Sequence, residues 1–250
     1  MIVIGRVLYR HWAVFRKVWW TNMMFNFVEP FLYLSALGYG LGAFVRPMGG
    51  VSYVDYIAPG IVASSAMFAA TFESTYGSFI RLHYQKTFHA MLAGPVTVRD
   101  IIVGEVLYAI LKSMLFGIVI LLVTVLFGNV HSWWALLIPP FLALPGALFA
   151  LLALCYTGLI KSIDHFNYYI TLFITPIHLF SGAFFPVEAM PAWVNALIWL
   201  NPLYHSVQIS RALSLETLHP GLWLHVVLML AAIAILLPLP VRLFKKRLIT

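Results

Sequence analysis

Four ionisable residues, Glu29, Glu73, Glu105 and Lys112, stand inside stretches otherwise apolar enough for a bilayer. Charged groups in hydrocarbon are rare; they pair with one another or face a wet interior. Glu29 and Glu73 each lie about seven residues from the cytoplasmic end expected for their span, and Lys112 lies seven residues after Glu105. At 1.5 Å per residue that sets Glu29, Glu73 and Lys112 roughly 10 Å inside one boundary. The shared depth predicts a polar cluster in which Lys112 pairs with Glu73 or Glu29. Such a cluster is a structural pairing, a gate that breaks during a cycle, or a proton relay.

Other chemistries lack their residues. There is no GxxxxGK[ST] phosphate loop, so the chain cannot hydrolyse ATP by that route, and no GxSxG elbow for a nucleophile. The nine histidines form no HExxH and no ligand pair on one helix, and the single Cys155 offers no disulfide within the chain. An enzyme is not expected. Energy for any transport comes from a partner or from an ion gradient. An ion-coupled secondary transporter would need an internal repeat and midplane charges, and neither is seen.

The elements that carry these charges follow from composition. With 62% hydrophobic and 9% charged residues the chain reads as an all-α polytopic membrane protein. Its net charge of +7 is clustered between apolar runs and at both ends, which marks topology rather than nucleic-acid binding. Spans are expected near residues 23–43, 56–80, 101–127, 134–160, 166–185 and 221–241. Six spans place twelve Lys and Arg on the N-terminal side and two, Arg46 and Arg211, on the other; counting 189–210 as a seventh gives nine against five. Six spans with both termini cytoplasmic fits the positive-inside rule better. Most Trp residues fall at span ends, as an interfacial belt. On the fifth span, Tyr168, Tyr169, Phe173 and His178 either line a channel or pack.

Three shorter pieces interrupt this plan. Residues 1–20 lack the order of a secretory signal. As a helix they gather Arg6, Arg10 and Lys17 on one side and Ile4, Leu8, Phe15 and Trp19 on the other, predicting an amphipathic helix on the cytoplasmic interface. Between spans two and three, Gln85 to Ala93 predicts a short helix stopped by Gly94-Pro95, with Phe88, Met91 and Leu92 on one face among Lys86, Thr87 and His89. It either docks a partner through an apolar knob or rests on headgroups. After the fifth span, Pro186, Pro191, Trp193, Trp199 and Asn201-Pro202 break an apolar run. A re-entrant outer hairpin over 186–201 is expected, with Phe184, Phe185, Trp193 and Trp199 as an aromatic outer gate; broken backbone at membrane depth must be buried or line a pathway.

The residues also carry a resemblance. Glu29-Pro30-Phe31-Leu32-Tyr33 with Gly38-Tyr39-Gly40-Leu41-Gly42, Tyr56-Ile57-Ala58-Pro59-Gly60, Thr71 to Tyr76, Gln85 to Phe88 and Met91-Leu92-Ala93 resemble the permease subunit of type-2 ABC exporters. So do Ser181, Ala183, Met190-Pro191, Pro202-Leu203, His205 and Arg211. Within the class the chain is most similar to the nodulation lipo-oligosaccharide exporter branch, over essentially its whole length, with one departure at Phe180, where a smaller aliphatic residue or Cys is expected. The resemblance implies a homodimer in the bacterial inner membrane. Each copy would bind one cytoplasmic ABC ATPase subunit through Gln85, Lys86, Thr87, Phe88, His89, Met91 and Leu92. ATP and Mg would be held by that partner, with no cofactor in this chain. The implied cargo is an amphipathic glycolipid or lipid-linked oligosaccharide, or else a small hydrophobic drug or another lipid.

Overall fold

In a computed structural model, residues 2–48, 50–187 and 190–249 are described, without the side chains of Ile2, Val3, Asn22, Met23, Phe25, Asn26 and Glu29. All the regular elements among them are helical. Helix α1 (Ile2–Tyr33) kinks at Val18 and continues through a π-helical stretch, Leu34–Gly40, and a 3-10 turn, Leu41–Ala43. Ser52 caps α2 (Tyr53–Phe72) by accepting from the Asp55 amide, and the helix runs on through two π-helical stretches, Glu73–Gly77 and Ile80–Tyr84. Lys86 in the left-handed conformation (φ 53°) ends it and turns the chain into α3 (Thr87–Leu92). A reciprocal Thr97–Asp100 capping box opens α4 (Val98–Leu126), satisfying two otherwise orphaned donors.

Next come a 3-10 turn, Trp133–Leu137, then α5 (Ile138–Phe141) and α6 (Ala143–Leu159). Helix α7 (His165–Tyr169) joins α8 (Thr175–Leu179) through π-helical Ile170–Ile174. The chain closes with α9 (Ala192–Ile198), α10 (Pro202–Leu215), α11 (Leu222–Leu236) and α12 (Pro238–Leu248).

Four helical runs among the described residues are long and apolar enough to cross a membrane: Tyr53–Tyr84, Val98–Leu126, Trp133–Leu159 and Leu222–Leu248. The fifth expected span is helical only over 165–179, about 22 Å, short of a hydrocarbon core of about 30 Å. Helix α2 is buried along nearly its whole length, packed on α4, α6 and α10, whereas α11 buries only His225 and Met229. The first is the axle of the molecule; the second shows its apolar face outward, as a lipid-facing helix does.

The N-terminal half of α1 buries Val7, His11 and Phe15, one stripe at i, i+4, i+8, against α4. Of the apolar side expected from the sequence, Phe15 lies in this contact and Trp19 is exposed, as a residue turned to a membrane interface would be; His11, which that side did not include, sits in the middle of the contact beside Glu105.

Candidate functional site

The ionisable residues converge where the C-terminal end of the α2 run meets α4. Glu105 and Lys112, two turns apart on α4, share a face, and Glu73 and Arg81 lie one in each of the two π-helical stretches that extend α2. Lys112 Nζ lies 2.8 Å from Glu73 Oε2, and Arg81 Nη1 lies 2.7 Å from Glu73 Oε1. Arg81 also reaches Glu105, with Nη2 at 2.5 Å from Oε2 and Nε at 3.1 Å from Oε1. Ser78 donates to Glu105 Oε2, and His11 Nε2 approaches Oε1 to 3.0 Å while its ring stacks on Tyr108. Gly77 makes the arrangement possible, since a Cβ there would fall 2.7 Å from Glu73 Oε1 and 3.2 Å from Arg81 Nη1.

Of the four residues singled out by sequence, Glu73, Glu105 and Lys112 therefore meet, and the Glu29 side chain lies outside the described residues. Sequence reasoning missed Arg81 and His11. Arg81 lies one residue past the end expected for the second span, at residue 80; the run 73–84 without proline is the signal that the helix continues.

Above this cluster a cavity of about 450 Å³ opens between α1, α2, α4 and α8. Glu73 and Lys112 line one part of it, and Ser64 contributes a buried hydroxyl without a hydrogen-bond partner. Elsewhere its wall is aromatic: Tyr33, Phe68, His178 and Phe184, with His178 edge-on to Phe68 at 5.0 Å and to Phe184 at 5.1 Å. The space thus joins an ion pair and a loose hydroxyl to stacking faces. Of the fifth-span residues only His178 faces it; Phe173 borders a separate apolar groove, Tyr169 is in the core and Tyr168 is exposed.

The segment 186–201 divides. Glu188 and Ala189 lie outside the described residues. Pro191 precedes α9, Pro202 begins α10, and Asn201 Oδ1 accepts from the Leu203 amide while its Nδ2 donates to the carbonyls of Ile177 and Phe180. The four aromatic residues expected to share one sealing face do not. Phe184 points into the central cavity; half-buried Phe185 does not line it; Trp193, 69% exposed, borders the apolar groove with Leu148 and Phe180; Trp199 stacks on His225 at 5.4 Å. Phe184 and Phe185 precede the break at Pro186, Trp193 lies in the first turn of α9, and Trp199 follows that helix.

Beside them is Arg211, whose Nη2 donates to Gly182 O (2.7 Å) and Nε to Tyr56 O (3.3 Å), with the guanidinium 3.8 Å from the Tyr56 ring centre. Gly182 presents that carbonyl from φ +71°, a backbone state that glycine adopts freely. His205 and His225 add a second tie, their Nδ1 atoms 2.6 Å apart.

Helix α3 also differs from expectation. Phe88 is fully buried within the subunit, 6.1 Å from Phe244 of α12, and Met91 and Leu92 pack on the same core. It is not a knob awaiting a partner. Gln85, Lys86, His89 and Ala90 form the exposed surface, and Arg10 donates to Thr87 Oγ1 at 3.1 Å, tying α3 to α1.

A family model described as ABC-2 type transporter matches residues 3–215. The chain is 39% identical over 218 residues to Nodulation protein J of Rhizobium leguminosarum bv. viciae, covering 87% of this chain and 84% of that protein. It is 36% identical over 245 residues to Nodulation protein J of Bradyrhizobium diazoefficiens, covering 96% and 92%. Similarity extends to the Inner membrane transport permease YadH of Escherichia coli strain K12, at 26% over 199 residues, 79% of this chain and 77% of that one.

Proposed function

Because the chain belongs to the ABC-2 type transporter family, we propose that it is the membrane-spanning subunit of an ATP-driven exporter. Two copies span the bacterial inner membrane six times each with cytoplasmic termini, and each binds one of two cytoplasmic ATPase subunits that hold ATP and Mg. The cargo is an amphipathic glycolipid or lipid-linked oligosaccharide moved outward. The cavity carries this reading: a 450 Å³ space that offers an ion pair and hydroxyls to a polar head, and aromatic faces on which sugar rings or acyl groups can lie.

Contact with the ATPase falls to the exposed rim of α3, formed by Gln85, Lys86 and His89, with Phe88, Met91 and Leu92 holding that rim on α12 from behind. Motion imposed on α3 reaches the cavity wall through a short route, since Arg81 is five residues before Lys86 and grips Glu73, which lines the cavity.

Purification in mild detergent tests the assembly. The subunit should carry an ATPase subunit with it, and vesicles holding the complex should move a fluorescent glycolipid outward only with ATP. Recovery of the permease alone, or movement driven by an ion gradient without ATP, would defeat the proposal. Movement of a small apolar dye but no glycolipid would point to a drug or simple-lipid exporter.

A further inference from the structure

Lys112 borders two spaces at once. Its ammonium meets Glu73 on the wall of the central cavity, and Lys112 also lines a separate hollow of about 270 Å³ between the N-terminal half of α1 and α4. No other described residue belongs to both linings. The hollow is walled by Leu8, Trp12 and Phe15 from α1 and by Leu111, Leu115 and Ile118 from α4. Its rim is open to the surroundings, with Trp12 and Leu111 each 51% exposed.

We propose that this hollow is a lateral portal: it takes one acyl chain of an anionic amphipath from the inner leaflet, whose acidic head group draws Lys112 away from Glu73 and so opens the way to the central cavity. The proposal rests on the exporter reading for the direction of traffic. Its chemistry rests on the geometry. A hollow beside lipid whose lining is apolar apart from Lys112 and Tyr108 takes hydrocarbon in preference to water, which would find few polar partners there.

The ion pairing permits the exchange. Glu73 is held through Oε1 by Arg81 as well as through Oε2 by Lys112, so departure of the ammonium leaves the carboxylate paired. A lysine suits the task, being a compact charge on a flexible four-carbon stem, where a planar guanidinium would be fixed by its fork. The rings of Phe116 and Tyr108, 5.6 and 6.0 Å from Nζ, offer their faces to the ammonium as it moves. The outer wall has its own joint: α1 is kinked at Val18, three residues beyond Phe15, so the portal half can tilt apart from the remainder of the helix.

Tryptophan quenching tests the portal without an identified cargo. The complex is reconstituted in phosphatidylcholine vesicles containing either dibrominated phosphatidylglycerol or dibrominated phosphatidylcholine, and the Trp12 component is isolated by comparison with Trp12→Phe. Trp12 should be quenched more by the anionic brominated lipid. That excess should be lost in Lys112→Gln, reduced in Lys112→Arg, whose guanidinium stays on Glu73, and unaffected by inorganic phosphate. Trp133, which is 90% exposed and away from the hollow, should show no such excess in the matched Trp133→Phe comparison. Equal quenching of Trp12 by the two lipids overturns the head-group exchange, and absence of quenching by both overturns the portal. The comparison of lipids in the unmodified protein stands even where Lys112→Gln fails to assemble. ATPase co-purification is read separately, so failure of the portal and failure of the exporter reading are distinguishable.

Discussion

In the orientation proposed above, the inner and outer ends of the molecule are held together by different physics. At the inner end, side chain meets side chain: two carboxylates share Arg81, with Lys112 and His11 each taking one of them. At the outer end, side chains mostly hold backbone: Arg211 grips two carbonyls, and Asn201 grips two more and caps α10, with the side-chain run Tyr39–Asn129–Asp55 beside them. An ion-pair network can exchange partners while its helices stay intact. Bonds to backbone carbonyls fix the path of the chain. Exchangeable contacts therefore lie at the inner end, and shape-keeping contacts dominate the outer.

The most severe test of the inner end is Phe88→Asp. With Phe88 in the subunit's own core, the substitution buries an unpaired carboxylate and removes a packed ring, and removing a buried Phe side chain alone costs about 3–5 kcal/mol. Membrane-inserted protein should disappear from expression blots whether or not the ATPase is co-expressed. Normal yield with loss of ATPase binding would return Phe88 to the interface and detach α3 from the inner framework. Next in size is Arg81→Met. It strips a cation from Glu73 and Glu105 together, and breaking a buried pair by removing one partner costs about 3–5 kcal/mol. Thermal unfolding in detergent should show the loss, and adding Glu105→Gln should recover part of it.

Much of this contrast was legible in the sequence, though unevenly. Charges inside apolar runs stand out on any hydropathy reading, so Glu73, Glu105 and Lys112 were visible, as was a break at Asn201-Pro202. Arg81 was hidden because π-helical turns carry α2 four residues past its expected end, and such turns leave no clear mark in residue spacing. His11 was hidden because its partner is 94 positions away. The direction of Phe88 was misread because an apolar face announces burial without saying against what, and α12 lies 150 residues further along the chain. The four aromatic residues near the hairpin were grouped by type, whereas their separation depends on backbone turns. Long-range pairing is decided by packing, which local pattern does not encode.

At the outer end, Arg211→Met should cost about 2–3 kcal/mol, the scale of hydrogen bonds to a charged donor, and should expose the segment after Gly182 to protease in intact complexes while the inner cluster remains sound. Arg211→Lys should not restore it, since an ammonium cannot reach two carbonyls in the same fork. Lys112→Met should cost less, about 1–3 kcal/mol, because Glu73 keeps Arg81. Adding Glu73→Gln should bring stability back toward that of the unmodified protein. If instead the single and double changes at 112 and 73 were additive, the pair would not act as a unit, and the inner end would be no more switchable than the outer.

The smallest effects on stability should come from the two outer tryptophans, and they separate shape-keeping from gating most finely. Trp193 is largely exposed beside the apolar groove, so Trp193→Ala should change stability by no more than about 0.5 kcal/mol, as exposed positions do. Trp199 stacks on His225, and His225 touches His205 of α10; Trp199→Ala should cost about 1 kcal/mol, the scale of one aromatic pair, while its carbonyl still accepts from His205 Nε2. If the outer end only keeps shape, neither change should alter the ratio of ATP hydrolysed to glycolipid moved in the same vesicles. A rise in ATP turnover without export for Trp199→Ala alone would show that the α9–α11 contact takes part in closing the outer mouth. The same rise for Trp193→Ala would extend that role to the lipid-facing groove, leaving Phe184 as the aromatic residue to examine next, because it lines the cavity the two tryptophans do not touch.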